Sequence, residues 1–553
     1  CKDIEEAGLE NVIAIIKAEK EVSVFASGAD GIAPGGCVLW TGTKVFKANC
    51  PYDGLCIKLR EVFEDESVKK YLQDIKCAMH TCARDGFEIK NAAFDYTVAA
   101  YLLDAVGFRR DLDYMASKYV EASWKNDVSS LTCLKEKMEA MLSEQGMLLL
   151  YRDIEHPLIE VLFSMEEEGF CVDTDMLLQL GKEYDIKISR LKQKIYGFSE
   201  YEFNINSTKQ LGDVLFGKLK LPVIKKTKTG YSTDNEVLEQ LRGTHEIIEL
   251  IINYRQLTKL KSTYIDGLCE AADENGKVHT TFNQTVTNTG RLSSTDPNLQ
   301  NIPVRTEEGS QIRKAFVAGG DYVIADADYS QIELRMFAHM SGDEKFIDAF
   351  VNGEDIHRKT ASDVFSVPYE EVTDALRGQA KAVNFGIIYG ISDFGLAKNL
   401  SVSRAQAKSI INDYMQHFPT IGSYMEKSIE FARTNGYCKT IYGRRRSLED
   451  IHSRNFMLRS AAERIAVNMP VQGSAADVIK VAMINVFNEL KKRNMRSKLI
   501  LQVHDELIVE CPEAEREKAV QVLREEMEHA VAYTVPLTAD AGWGRNWAEA
   551  HGT

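Results

Sequence analysis

The sequence predicts a multidomain α/β protein on three observations. Its 553 residues, 44% of them hydrophobic, are enough for several buried cores, and a chain of this length normally divides into two to four domains. Residues 1 to about 150 mix short apolar runs with helical stretches, whereas from Ile154 onward apolar residues recur at the three- and four-residue spacing of long helices. Two later segments, 322–329 and 499–509, return to strand-like runs that carry carboxylates.

Taken in order, Val12 to Ile16 and Val22 to Ala26 are short apolar runs of the strand type, and helical stretches are expected around 92–103 and 131–150. This βα mixture predicts a compact α/β domain. Leu158, Val161, Leu162 and Met165 then share one helix face, and Leu177, Leu178, Leu180 and Ile186 continue in a further helix. Between 206 and 261 ten basic residues stand against six acidic ones. Within that stretch, residues 225–230 form a basic, turn-prone loop within reach of a phosphate backbone, although a solvated charged face reads equally well. Repeats, low-complexity tracts and Pro- or Ser-rich linkers are absent from the sequence, so boundaries rest on changes of pattern.

Composition narrows the class. Eleven prolines, 36 glycines and mixed charge exclude a disordered or collagen-like chain. No apolar run approaches the roughly 18 residues of a membrane span, so a soluble protein without a membrane partner is expected. The 11 cysteines form no C-x-x-C pair and no Cys/His zinc spacing, which predicts unpaired thiols in a reducing cytoplasm. A net charge of −15 argues against nucleic-acid binding only on average, because a binding surface needs no more than a local basic track. The chain starts at Cys1 with no basic-then-apolar leader behind it, which predicts a fragment or processed product lacking a signal peptide.

Three segments carry chemistry. The run 322–329 places Asp326 and Asp328 on one face of a strand, with a helix opening behind it. The run 499–509 is two apolar β segments around His504, Asp505 and Glu506, most simply a hairpin with its acids at or near the turn. Carboxylates that meet from two strands repel unless cations lie between them. Mg²⁺ held by carboxylates and substrate phosphates meets that need in an in-line phosphoryl transfer. In the third segment Arg377, Lys381, Phe385 and Tyr389 recur every four residues, drifting only about 40° per step on a helix. Two cations suited to a polyphosphate and two rings suited to a base therefore share one stripe. Each segment alone also reads as ordinary strand end or helix surface.

Together, Asp328-Tyr329-Ser330-Gln331-Ile332-Glu333-Leu334-Arg335, the R-x-x-x-K-x-x-x-F-x-x-x-Y-G run from Arg377 to Gly390, and Val503-His504-Asp505-Glu506 closely resemble the A, B and C motifs of family A DNA polymerases, in order and spacing. The resemblance runs from about residue 154 to the C-terminus, and the whole chain resembles the large fragment of bacterial members. It implies an RNase H-like α/β exonuclease-like domain over 1–150, followed over 151–553 by a right-hand polymerase with an antiparallel palm sheet and helical fingers and thumb. The thumb is expected at about 170–265, the palm at about 266–335 and 451–553, and the fingers at about 336–450. The implied reaction is template-directed addition of dNTPs to a primer 3′-hydroxyl with pyrophosphate release, in DNA repair and replication gap filling.

The same resemblance assigns roles. Asp328 and Asp505 are the metal-binding carboxylates, joined by the backbone carbonyl of Tyr329, for two Mg²⁺ ions that Mn²⁺ can replace. Glu506 supports them, and Asp326 has no counterpart role. Arg377, Lys381 and His357 match contacts to the incoming triphosphate, Lys381 doubling as general acid toward pyrophosphate. Gln331 belongs with these nucleotide contacts. Phe385 packs on the nucleotide, where a Phe goes with poor acceptance of dideoxynucleotides, and Tyr389 guards the templating position as its helix swings closed. Glu333 is the steric gate against a ribose 2′-hydroxyl. Arg291, Asn298, Arg305, Arg464, Asn468, Gln472 and His504 match the primer-template track, whose minor-groove acceptors are common to all base pairs. The run 440–446 adds template contacts or is a solvated basic turn. Implied partners are primer-template DNA and dNTPs, with the protein a monomer in the bacterial cytoplasm, associated with the nucleoid.

One region departs from the pattern. Proofreading relatives carry a D-x-E on the opening strand of the exonuclease, and residues 12–20, taken as that strand, hold none. Asp85 retains one acidic position, the later Y-x-x-x-D motif is missing, and the segment from 124 to 150 is short. A scaffold without exonuclease activity is therefore expected, with strand displacement as its companion. Two other readings compete: a single-subunit RNA polymerase, opposed by Glu333 and the helix from Arg377, and a non-catalytic primer-template binding module, opposed by the presence of every metal and triphosphate residue.

Overall fold

The computed structural model describes residues 2–26, 36–42, 44–120, 128–227, 230–303 and 306–552. The chain falls into two compact units: Cys1–Glu168 with Phe282–Ser294 and Ala325–Gly542, and Gly169–Thr281 with Thr295–Ile324 and Trp543–Thr553. Among the described residues no helix is long and apolar enough to cross a membrane.

The first unit opens with a six-stranded mixed sheet ordered Lys2–Asp3, Val45–Ala48, Cys37–Trp40, Glu21–Ala26, Lys69–Leu72 and Ala92–Asp95. Glu21–Ala26 pairs antiparallel with Cys37–Trp40 and parallel with Lys69–Leu72. Val22 through Ala26 are all buried, as befits a central strand covered on both faces. Phe25 stacks on Trp40 at 5.6 Å, and Phe94 meets Tyr96 edge-on at 5.1 Å. Each such buried side chain contributes about 1.5–3 kcal/mol relative to exposure.

Two expectations need correction here. The run from Val12 to Ile16 belongs to the helix Leu9–Glu19, because only Val12 and Ile16, one turn apart, are fully buried. The central strand of this region is therefore Glu21–Ala26 and not 12–20; it too holds no D-x-E, although the chain's first strand, Lys2–Asp3, opens the run Asp3-Ile4-Glu5. The helix expected over 92–103 begins only at Tyr96, since Ala92–Asp95 completes the sheet and Asp95 then caps the helix by accepting from Val98 N at 2.8 Å.

A four-stranded sheet, most of whose residues belong to the same unit, runs in the order Lys498–Val503, Glu506–Pro512, Tyr322–Tyr329 and Ala539–Gly544. The first two strands form the expected hairpin, with Val503 opposite Glu506 and His504-Asp505 as the turn. His504 takes φ of 52°, a conformation such tight turns require. Behind the sheet lies the helix Phe456–Lys492, which carries Pro470 inside it. Ser474 Oγ donates to the Pro470 carbonyl at 2.5 Å and accepts from Ile441 N at 3.0 Å.

In the second unit Asp173 caps the 26-residue helix Thr174–Ser199, which packs on Glu246–Lys259 around Ile195, Leu211, Leu215 and Ile251. Leu177 and Leu180 face inward as expected, whereas Leu178 and Ile186 are more than half exposed, so the apolar stripe is narrower than the sequence suggested. The basic loop near 225–230 is a small hairpin in which Lys226–Thr227 pairs with Gly230–Tyr231 and Lys225 bonds Asp234 at 3.0 Å.

Candidate active site

Asp328 lies at the end of the strand Tyr322–Tyr329, and the amide of Tyr329 donates to the Asp505 carbonyl at 3.1 Å. The two motif carboxylates therefore come from neighbouring chain segments. Burial pushes the Asp505 carboxyl up to about 7; Arg291 opposes this, and the like charges of Glu333 and Asp328 add to it. Its Oδ1 is buried without a hydrogen-bond partner. A carboxylate so placed is suited to a cation. Glu506 starts the return strand, 4% exposed, and its carboxylate lies within 4.8 Å of that of Asp326.

The turn after this strand is held tightly. Gln331 adopts the left-handed conformation at φ 55°, and Arg335 donates to the Ser330 carbonyl at 2.7 Å and the Pro536 carbonyl at 2.6 Å. A left-handed non-glycine costs on the order of 1–2 kcal/mol, here offset by those bonds. The Gln331 Oε1 is buried and without a partner. Glu333 follows in the first turn of the helix Ile332–Ser341, 7% exposed.

Glu333 is the centre of a small network. Tyr389 Oη donates to its Oε2 at 2.5 Å, and Arg291 Nη2 donates to its Oε1. The expected gate, its guard and the track residue Arg291 thus form one connected group.

Arg377, Lys381 and Phe385 lie on the helix Asp374–Ile388, with Tyr389 as its C-cap. Phe385 and Tyr389 are stacked at 6.3 Å. Lys381 is exposed, and Arg377 Nε donates to Asp355 at 2.6 Å. Asp355 also caps the helix Ile356–Phe365. His357, next to it, is only 2% exposed; burial brings it down to about 4, with Asp355 opposing and Lys381 and Arg377 adding. Asn384 Nδ2 donates to its Nδ1 at 3.1 Å, so the neutral ring keeps its proton on Nε2. Phe385 lies 5.9 Å from this ring.

Arg464, Asn468 and Gln472 project from the helix Phe456–Lys492. Gly390, at φ 66°, lets the preceding helix end against Arg464, since a Cβ there would lie 2.9 Å from Arg464 Cγ. Asn468 keeps a buried, unpartnered Oδ1. His504 is exposed at the hairpin turn, its carbonyl accepting from Gln502 at 2.5 Å. Asn298 belongs to the second unit, where its Oδ1 accepts from Gln300 N at 3.0 Å. Arg305 lies outside the described residues. Asp355 and Asn384 were missed as site residues; the capping position of Asp355 in front of Ile356 is a signal the sequence does carry, whereas nothing local marks Asn384.

In the six-stranded domain four described acids are occupied otherwise. Asp74, Asp95 and Asp111 cap helices, and Asp85 ends the helix Ile75–Arg84 with Arg84 at 3.9 Å. Among the described residues, none of those before Glu168 belongs to a cluster of three metal-ligating side chains.

An RNase H-like domain followed by a hairpin-bearing palm sheet, with a cationic and aromatic helix in the same unit as that sheet, is the architecture of a right-hand polymerase. Residues 174–549 match the model of DNA polymerase family A, and residues 37–129 match the ribonuclease H-like domain of DNA polymerase I. The chain belongs to the family A DNA polymerases. It is 48% identical over 501 residues to DNA polymerase I of Caldicellulosiruptor bescii and 46% identical over 518 residues to that of Bacillus subtilis, in each case over 89% of this chain. The chain spans 59% of the length of these curated relatives. A solved structure, the polymerase domain of Pol1 from M. smegmatis in complex with DNA primer-template and dNTP, is 38% identical with a TM-score of 0.88, covering 98% of each chain.

Proposed function

We propose that the protein is a template-directed DNA polymerase that adds dNTPs to a primer 3′-hydroxyl and releases pyrophosphate, in DNA repair and replication gap filling. The observation that carries this reading is the backbone bond that sets the Asp328-Tyr329 strand end beside Asp505, with the partnerless Asp505 Oδ1, in the same compact unit as the Arg377–Lys381–Phe385 helix.

The donor set fits divalent cations: Asp328, Asp505 and the Tyr329 carbonyl would hold two Mg²⁺ ions, for which Mn²⁺ would substitute. When bound, the ions lower the pKa of the attacking hydroxyl and neutralise charge on the leaving group. Arg377 and Lys381 bind the triphosphate, Arg377 by leaving Asp355, and Lys381 delivers a proton to pyrophosphate. The neutral His357 supplies its Nε2–H to the same phosphates. Phe385 packs on the nucleotide, with Gln331 among its contacts, and Glu333 fills the space a 2′-hydroxyl would need. Tyr389 guards the templating position through its bond to Glu333. Arg291, Asn298, Arg305, Arg464, Asn468, Gln472 and His504 hold the primer-template.

The first domain is proposed to lack proofreading, supported by the absence of a D-x-E from residues 12–26 and the capping duties of Asp74, Asp95 and Asp111, and the polymerase to displace a downstream strand. The protein is further read as a monomer of the bacterial cytoplasm, associated with the nucleoid. The test is extension of a labelled primer with Mg²⁺ and dNTPs, alongside Asp505→Ala. Extension by the parent and none by the variant supports the reading; equal extension by both defeats it, as does duplex binding without any extension.

A further inference from the structure

Arg291 sits in a turn whose support comes from the far end of the chain. Tyr101, 1% exposed and within the stretch matching the ribonuclease H-like domain, donates from its Oη to the Thr287 carbonyl at 2.6 Å. Thr287 Oγ1 in turn donates to the Arg291 carbonyl at 2.6 Å. Arg110, from the same domain, donates to Thr285 Oγ1 at 3.0 Å. Gln284 Nε2 donates to the carbonyl of Glu155 at 2.7 Å and also reaches its carboxylate.

Beneath the turn lies a buried set of charges. Glu155 Oε1 accepts from Lys480 Nζ at 2.7 Å and from Arg444, and Arg444 Nε donates to Asp477 at 2.9 Å. All four side chains are at most 2% exposed. Two cations and two anions cancel, so removing any one member leaves an uncompensated buried charge and is costly. Gly290 lies directly on it: its φ is 85°, and a Cβ would stand 2.4 Å from Arg444 Nε. The Arg444 charge also acts on the Tyr101 hydroxyl, so the hydroxyl that bonds the turn lies near its floor.

Resting on the polymerase reading above, we propose that Tyr101, with Arg110 and Glu155, holds the Thr285–Arg291 turn so that Arg291 is presented to Glu333 and Asp505. The RNase H-like domain is then a positioning element of the polymerase site, and Tyr101 a positioning residue that touches no substrate. A domain without exonuclease chemistry would remain under constraint at Tyr101, because loss of a single buried hydroxyl slackens a residue at the nucleotide gate.

The decisive variant is Tyr101→Phe, which keeps the ring in its pocket and removes only the hydroxyl. Amide exchange in peptides covering 282–294 should quicken about tenfold while peptides of the six-stranded sheet stay unchanged. The kcat for matched dNTP addition should fall about three- to tenfold, the worth of a buried hydrogen bond, and the fall should vanish in an Arg291→Ala background. Unchanged exchange over 282–294, or a loss that adds in full to that of Arg291→Ala, overturns the proposal. Exchange is read without DNA or nucleotide, so a parent that extends no primer defeats the polymerase reading while the exchange arm still decides the positioning.

Discussion

Glu333 holds two partners on one carboxylate, Arg291 on Oε1 and Tyr389 on Oε2, and its consequences separate by substitution. Glu333→Ala opens the space beside the sugar and should raise the ratio of rNTP to dNTP kcat/KM about 10- to 100-fold, the range set by small changes in pocket shape. Glu333→Gln keeps the volume and should keep most of the discrimination. A ratio unchanged in the alanine variant would remove Glu333 from the gate. Arg377 is argued in the same way. It bonds Asp355, and losing a charge-assisted contact to phosphate should raise the KM for dNTP about 10- to 100-fold in Arg377→Ala, read by steady-state primer extension.

Elements add constraints that single residues do not show. The turn at Gly290 tolerates no side chain, because φ is positive and the Arg444 guanidinium fills the space. Gly290→Ala should cost about 2 kcal/mol or more, seen as a lowered melting temperature. A second element carries a pH signature. His80 bonds Glu166 and Glu167, each at 2.6 Å, joining the helix Ile75–Arg84 to the helix His156–Glu168. Burial works against the protonated ring, but the two carboxylates outweigh it and hold His80 above its ordinary 6.5. The stability this clamp adds is full below 6.5 and is lost as pH rises through the raised value. Melting temperature should therefore decline as pH rises above 6.5 in the parent and vary less in His80→Gln; equal slopes would discount the clamp. At this scale the sequence was readable where periodicity is long, as in Thr174–Ser199, and misleading where apolar runs are short. Val12 to Ile16 fits strand or helix equally until burial of Val12 and Ile16 chooses the helix.

Across the whole molecule the proposed lack of proofreading makes a simple prediction. With Mg²⁺ and no dNTPs, a 3′-mismatched primer should keep its length, and with dNTPs on gapped DNA extension should continue past the downstream strand. Shortening of the mismatched primer would show that the acids capping helices near Asp74, Asp95 and Asp111 are not the whole inventory. Chelation of divalent ions should stop extension, and added Mg²⁺ should restore it.

Motif order, the hairpin with its acids at or near the turn and the helix that lines up Arg377, Lys381 and Phe385 are legible in the chain alone, because these depend on spacings of two, four or a few residues that local geometry converts directly into a face or a turn. What the tertiary structure alone decided is which of those residues touch. The Arg291–Glu333 and Glu333–Tyr389 bonds close over 42 and 56 residues, and the Glu155–Lys480 contact over 325. Such contacts exist only once burial has removed competing water and the folded backbone has brought distant segments together, so no spacing in the chain announces them.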